Sequence, residues 1–224
     1  MNEFGEGVAV IQRRDLMANI ATGILVLCAV VVTTLVVLQY LSAHKTTVSV
    51  SGHISDFKSL LAHRPVNMGS DNATLKIIEF SDYQCPYCRQ LEPNLQALVK
   101  RYPDRVAVVR YDFPLEQLHA HAYKAAIASR CAGLQNVYEP FEAELFKVNL
   151  EKVNWRELAH AAKVPDIPKF WSCVSNNESA PLVDADIKMA NKLGINGTPT
   201  LVVRGDVVSG MKSVEELDSL VSGS

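Results

Sequence analysis

The 224-residue sequence predicts an α/β domain carried behind one membrane-spanning helix. Three observations predict it. Residues 16–43 carry no charge and are almost wholly apolar. Beyond them, short apolar runs and helical patterns follow the order β–α–β, a helical block, then β–β–α, the order of a layered sheet with an insertion. Finally, two cysteines three positions apart, Cys85 and Cys88, fall where the first strand gives way to the first helix.

The apolar run "IATGILVLCAVVVTTLVVLQYL" is long enough to cross a bilayer as a helix, which takes about 20 residues. Its valines disfavour helix in water, but in lipid a helix is the one way for a single segment to satisfy its backbone. Arg13 and Arg14 precede it and only Lys45 follows closely, so 1–15 are expected in the cytoplasm and the rest outside it. The segment is read as an uncleaved anchor because it exceeds the roughly 7–15 residues of a signal core. The alternative is a cleaved signal peptide, for which "LSA" at 41–43 is a tolerable site. Either way the domain faces an oxidising compartment. Cys28 lies within the run and counts as a small apolar residue.

The remainder divides into a stalk or linker at 44–70, with one short helix near 54–62, and a domain at 71–224. "ATLKIIEFSDY" reads as a buried strand, since Leu75, Ile77, Ile78 and Phe80 leave little alternation. A helix from Pro86 to about Tyr102 puts Leu91, Leu95, Leu98 and Val99 on one face. "RVAVVRYDF" is a second strand, ended by Pro114. A helical block is expected over about 115–193, with "HAHAYKAAIASRCAGL" stopped near Gly133 and "VDADIKMANKLG" ending on Gly194. "PTLVVRGDVVSG" reads as a hairpin turning at Arg204–Gly205–Asp206. A last helix opens on the capping box of Ser213 and Glu216. The 22 basic and 24 acidic residues, net −2, give no sign of a nucleic-acid partner.

The cysteine pair admits three readings. Structural zinc needs four ligands, whereas Cys131 and Cys173 are single and 42 apart, and His119 and His121 are two apart. A purely structural Cys85–Cys88 bridge would close a tiny loop and constrain the unfolded chain little. A redox pair explains more. A sulfur at a helix start meets unpaired N–H groups and the positive dipole end, which bring cysteine pKa values to roughly 3.5–7.5. Pro86 suits the first helical position, and Cys88 lies one turn deeper, in reach to resolve a mixed disulfide. Cys85 is therefore expected to attack and Cys88 to resolve, with no metal and no cofactor.

Cys85-Pro-Tyr-Cys88 after a buried strand, with "NGTPT" before a later one, resembles the thioredoxin superfamily. "YDFPLEQLHAHAYKAAIASRCAGLQ" and "KLGINGTPT" resemble its DsbA-like branch, and the likeness spans about 73–221. It implies a thioredoxin fold with an inserted helical domain. By position, Pro199 matches the family's cis-proline, whose preceding backbone pairs with an extended substrate. Glu79 matches the buried acid that exchanges a proton with the second cysteine, against the alternative of an edge glutamate pairing a lysine. Pro93 matches a helix-kinking proline. Thr198, Pro86 and Tyr87 fall at substrate-facing positions. Cys131 and Cys173 resemble a second, structural disulfide found in some members; the alternative is two buried free thiols.

Two departures matter. Pro86-Tyr87 is not the Pro-His of typical DsbA, and tyrosine has no positive charge to hold a thiolate, so a less oxidising disulfide is expected. Thr198 replaces the usual valine, so substrate preference does not carry over. The expected function is a thiol oxidase in a bacterial inner membrane, donating the Cys85–Cys88 disulfide to cysteine-containing extracytoplasmic proteins and reset by an integral-membrane redox partner. The alternatives are an anchored reductase or isomerase, for instance in haem-protein maturation, and a non-catalytic chaperone of the same fold.

Overall fold

A computed structural model of the chain describes residues 19–20, 22–39, 48–62 and 64–222. The stretch 1–15 with Arg13 and Arg14, the ends of 16–43 and Lys45 lie outside the described residues. The N-terminal unit contributes helix α1 (Thr22–Gln39), long and apolar enough to cross a membrane and exposed along its length. Two of its threonines are satisfied within the helix. Thr33 Oγ1 donates to the Ala29 carbonyl at 2.9 Å and Thr34 Oγ1 to that of Val30 at 2.7 Å, so neither hydroxyl depends on water for a partner.

The second unit is a six-stranded sheet flanked by helices. Its strands are β1 (Gly52–His53), β2 (Met68–Gly69), β3 (Leu75–Ser81), β4 (Val106–Asp112), β5 (Thr200–Val203) and β6 (Asp206–Ser209), in the order β1-β6-β5-β3-β4-β2. The helices are α2 (Phe57–Leu61), α3 (Pro86–Arg101), α4 (Ala122–Gly133), α5 (Tyr138–Leu145), α6 (Trp155–Ala161), α7 (Ile167–Ser175), α8 (Ala180–Lys192) and α9 (Val214–Ser222). Central strand β3 runs parallel to β4 and antiparallel to β5, and its side chains alternate between the faces. Ile77 packs with Leu91, Leu95 and Leu98 of α3 and Leu217 of α9, whereas Ile78 and Phe80 pack with Leu60 of α2 and Ala190 of α8.

Helices α4 to α7 have a core of their own, built on Phe141 and Phe170, whose ring centroids are 5.3 Å apart. Buried Ala125, Ala126, Ala128 and Ala132 give α4 a narrow face on which its neighbours close in. Cys131 of α4 and Cys173 of α7 are joined in a disulfide, with Cα atoms 5.8 Å apart. Tyr83, Cys85 and Cys88 belong to this same core, so the inserted helices cover the Cys-x-x-Cys turn. A second clasp is ionic: Asp186 of α8 takes Arg64 at 2.8 Å and Arg130 of α4 at 2.6 Å, and Arg130 also pairs with Asp112 of β4.

Three boundaries differ from the expectation. The described part of 44–70 is no stalk. Ser51 and Ile54 donate to β6-side carbonyls at 2.8 and 2.7 Å, Asn67 N donates to Val108 O at 2.9 Å, and Leu60 is buried. Strands of two residues are too short to leave a periodic trace, which is why the sequence hides them. The helical block begins at Ala122 rather than 115, because Leu115 and His121 give their amides to Asp82 and Gln84 instead of to a helix. The hairpin turns on Arg204 and Gly205, both at positive φ (54° and 98°), which returns Asp206 to the strand. The capping box forms, Glu216 N meeting Ser213 Oγ at 3.3 Å and Ser213 N meeting Glu216 Oε2 at 2.8 Å.

Replacing both Cys131 and Cys173 by alanine frees a loop with a sequence separation of 42 in the unfolded chain. The chain-entropy account puts the loss at about 4 kcal/mol. Urea denaturation of the domain should show the midpoint fall by a corresponding amount.

Candidate active site

Strand β3 ends at Ser81, and four residues later Cys85 is the N-cap of α3, with Pro86 at the first helical position. Asp82 shapes the turn between them. Its carboxylate is 1% exposed, and Oδ1 accepts the amides of Gln84 (2.7 Å) and Cys85 (3.2 Å). Oδ2 takes the Leu115 amide at 2.9 Å and faces His119 Nδ1 at 2.7 Å. The presentation of Cys85 is thus tied to the loop that leads into the inserted helices.

Cys85 and Cys88 are both free thiols, and their environments pull their pKa values apart. Cys85 is lowered from 9.0 to about 5. The S–H of Cys88 contributes most, then the amides of Cys88 and Tyr87 and the Thr198 side chain, against the cost of burial. Those amides are among the N–H groups that a helix leaves unpaired at its start. Cys88 is raised well above 9.0, first by burial, then by Cys85 and by the nearby charge of Glu79. One sulfur is made to be a thiolate and the other to keep its proton. Tyr87 takes no part through its ring, which is 59% exposed.

The Thr198–Pro199 bond is cis, and Cys85 Sγ lies 3.4 Å from the Thr198 carbonyl oxygen, so this loop lies against the reactive sulfur. Pro199 is buried and Pro86 exposed. Glu79 is fully buried in the middle of β3, in register with Arg110 of β4, and pairs with it at 2.8 Å; it does not pair with a lysine. Burial raises its pKa, with Arg110 opposing.

Sequence reading missed the company that Glu79 keeps. Arg110, 1% exposed, also meets Glu92 of α3 at 2.6 Å and Glu142 of α5 at 2.7 Å, and Tyr83 hydrogen-bonds Glu142. It missed Asp82 as well. The available signal was an arginine in the middle of the strand run "VAVVRY": a charge inside a buried strand needs a buried partner.

Ultraviolet titration of the reduced domain should show one thiolate forming with a midpoint of about 5 and no second one below about pH 9. Because the Cys85 value is depressed on folding, its contribution to stability is complete above pH 9 and disappears as pH falls through about 5. Cys85→Ala should lack that dependence.

The family profile described as Thioredoxin matches residues 62–222. Among curated relatives, the Na+/H+ antiporter NhaA 1 of Mycolicibacterium gilvum is 31% identical over 141 residues, 61% of this chain and 23% of that protein. The chain thus spans about a quarter of the length of the curated relatives it matches. A thioredoxin-like oxidoreductase from Silicibacter pomeroyi superposes with a TM-score of 0.64 at 28% identity, over 72% of this chain and 92% of the other. Pseudomonas aeruginosa DsbA2 does so with 0.55 at 25% identity, over 70% and 91%. With its Cys85–Cys88 pair at the start of α3, the chain belongs to the thioredoxin family, as a thioredoxin-fold thiol-disulfide oxidoreductase of the DsbA-like kind.

Proposed function

We propose that this oxidoreductase is a membrane-anchored disulfide donor to cysteine-containing proteins outside the cytoplasm. The observation that carries the reading is the split between the two sulfurs. Stabilising the Cys85 thiolate stabilises the reduced form, and a couple with a stabilised reduced form is oxidising. The absence of a histidine at position 87 matters less than the sequence suggested, because backbone amides, Cys88 and Thr198 hold the thiolate instead.

In this reading a substrate thiolate attacks Cys85 of the disulfide. The Cys85–Cys88 bond breaks, and its electron pair goes to Cys88, which takes up a proton from Glu79. A second substrate thiolate then attacks the substrate sulfur of the mixed disulfide and expels Cys85, whose low pKa makes it a good leaving group. The substrate gains a disulfide and the enzyme is left as a dithiol. Thr198 and Pro199 align the substrate backbone, with Pro86 and Tyr87 flanking it. Exposed Tyr87, Leu118 and Met211, at 59%, 76% and 38%, offer apolar contacts to an unfolded chain. Leu118 is in the loop held by Asp82, and Met211 follows Gly210, whose amide donates to the Pro199 carbonyl at 2.8 Å.

Residues 16–43 anchor the chain in the inner membrane of a bacterium, with 1–15 in the cytoplasm and the catalytic domain outside. An integral-membrane partner reoxidises Cys85–Cys88. Equilibration with glutathione should place the couple between about −120 and −180 mV, where disulfide donors and isomerases fall. A value near about −270 mV, that of thioredoxin, would assign the chain to reduction instead.

A further inference from the structure

His119 has no part in the exchange between the two sulfurs, yet it touches the residue that builds the active-site turn. The side chain of Asp82 is 0% exposed, and four groups meet its two oxygens among the described residues. Oδ1 accepts the amides of Gln84 at 2.7 Å and Cys85 at 3.2 Å. Oδ2 accepts the amide of Leu115 at 2.9 Å and lies 2.7 Å from His119 Nδ1. An ionised carboxylate offers acceptors alone, so the hydrogen in the fourth contact is on the imidazole. Each oxygen then has two donors, three of the four from the backbone and one from a side chain.

His119 is itself held from both sides. Its amide and that of Leu118 donate to the Leu115 carbonyl at 2.9 and 2.8 Å, and its carbonyl accepts the Ala122 amide at 3.0 Å, where α4 begins. Asp82 in turn reaches both cysteines. Its carboxylate and its own carbonyl share the Cys85 amide, at 3.2 and 3.1 Å, and its amide faces Cys88. A chain of contacts therefore runs from the start of the inserted helices to the reactive sulfur. We propose that His119 is a positioning residue for thiol-disulfide exchange: by donating to Asp82 it fixes the carboxylate that holds the Cys85 amide, and so keeps the sulfur where the free amides of α3 converge.

The carboxylate is shut off from water, so a missing donor leaves Oδ2 short of a partner. The group is planar and turns as one, and Oδ1 moves with Oδ2. The Cys85 peptide then loses its hold, and the sulfur loses alignment with the Tyr87 and Cys88 amides that favour its thiolate. Besides His119, the titratable groups that bear on the pair are Cys88 itself and Glu79 of β3. The chemical step is the same with or without the histidine. A thiolate at Cys85 attacks a disulfide sulfur, the S–S bond breaks, and its electron pair leaves on the other sulfur. His119 takes no proton in that step and touches no substrate; it governs how much of Cys85 is thiolate.

The inference rests on Cys85 being the exchanging sulfur, which Cys85→Ser checks separately by abolishing exchange with a model disulfide. Exchange that survived in Cys85→Ser would remove that reading, whatever His119 does to the turn. His119→Leu keeps the bulk and removes the donor. In that variant the thiolate midpoint of the reduced domain should rise from about 5 by about one pH unit. Exchange with the model disulfide should then slow about fivefold at about pH 5, where the thiolate fraction limits it, and stay near wild type at about pH 8. His119→Asn, whose amide nitrogen stands in for Nδ1, should restore both. A folded His119→Leu domain that titrates and reacts like wild type would overturn the proposal. So would a His119→Asn domain that behaves like His119→Leu, because the effect would then belong to the ring or its charge and not to its N–H. If the leucine variant fails to fold, nitrogen NMR of the wild-type domain decides the matter. Nδ1 of His119 should carry a proton at about pH 8, and a proton on Nε2 alone would contradict the donor role.

Discussion

A sulfur placed where the free amides of a helix converge is the constraint on which the rest of this molecule depends. For Cys85 to meet those amides, β3 has to end at Ser81, Asp82 has to gather the turn, and α3 has to open with a residue that needs no N–H of its own, which Pro86 supplies. The neighbouring sulfur must be treated the opposite way. Cys88 is the third helical residue, fully buried under the inserted helices, and its proton is directed at Cys85. The short distance between two sulfurs of opposite character is what a single CxxC turn achieves. It does so without a positively charged side chain at position 87.

Beneath that turn the fold accepts an expensive feature. Burying Arg110 with three carboxylates costs desolvation that well-packed apolar residues would avoid. What the arrangement provides is a connection. Glu79 comes from the sheet, Glu92 from the active-site helix and Glu142 from the insertion, so one guanidinium joins three layers at a point whose charge bears on Cys88. The second ionic group, Arg64, Arg130, Asp112 and Asp186, pairs two cations with two anions and does no more than clasp helices to sheet. Its balance of charge makes the imbalance around Arg110 stand out.

The strands β3 and β4, the helix opening at Pro86 and the hairpin were legible because each carries a local pattern: an apolar run, a periodic face, a turn dipeptide. Cys85, Cys88 and Pro199 were legible because motif and spacing mark them. Glu92, Glu142 and Tyr83 were not. Glu142 reads as one acid among several in "YEPFEAELFKV", and nothing local says that α5 turns it inward onto an arginine 32 positions earlier. β1 and β2 were invisible for a related reason: two-residue strands exist through their partners, Val207 and Val108 among them, and not through their own composition. What sequence reading lost was long-range pairing, both of charges and of strand edges.

The central claim is the asymmetry of the two sulfurs, and competitive alkylation of the reduced domain tests it most directly. At about pH 7, with the labelled sites mapped by mass spectrometry, Cys85 should be modified as a thiolate while Cys88 stays protected until the chain is unfolded. Equal labelling of both positions in the folded domain, or labelling that begins at Cys88, would contradict the account.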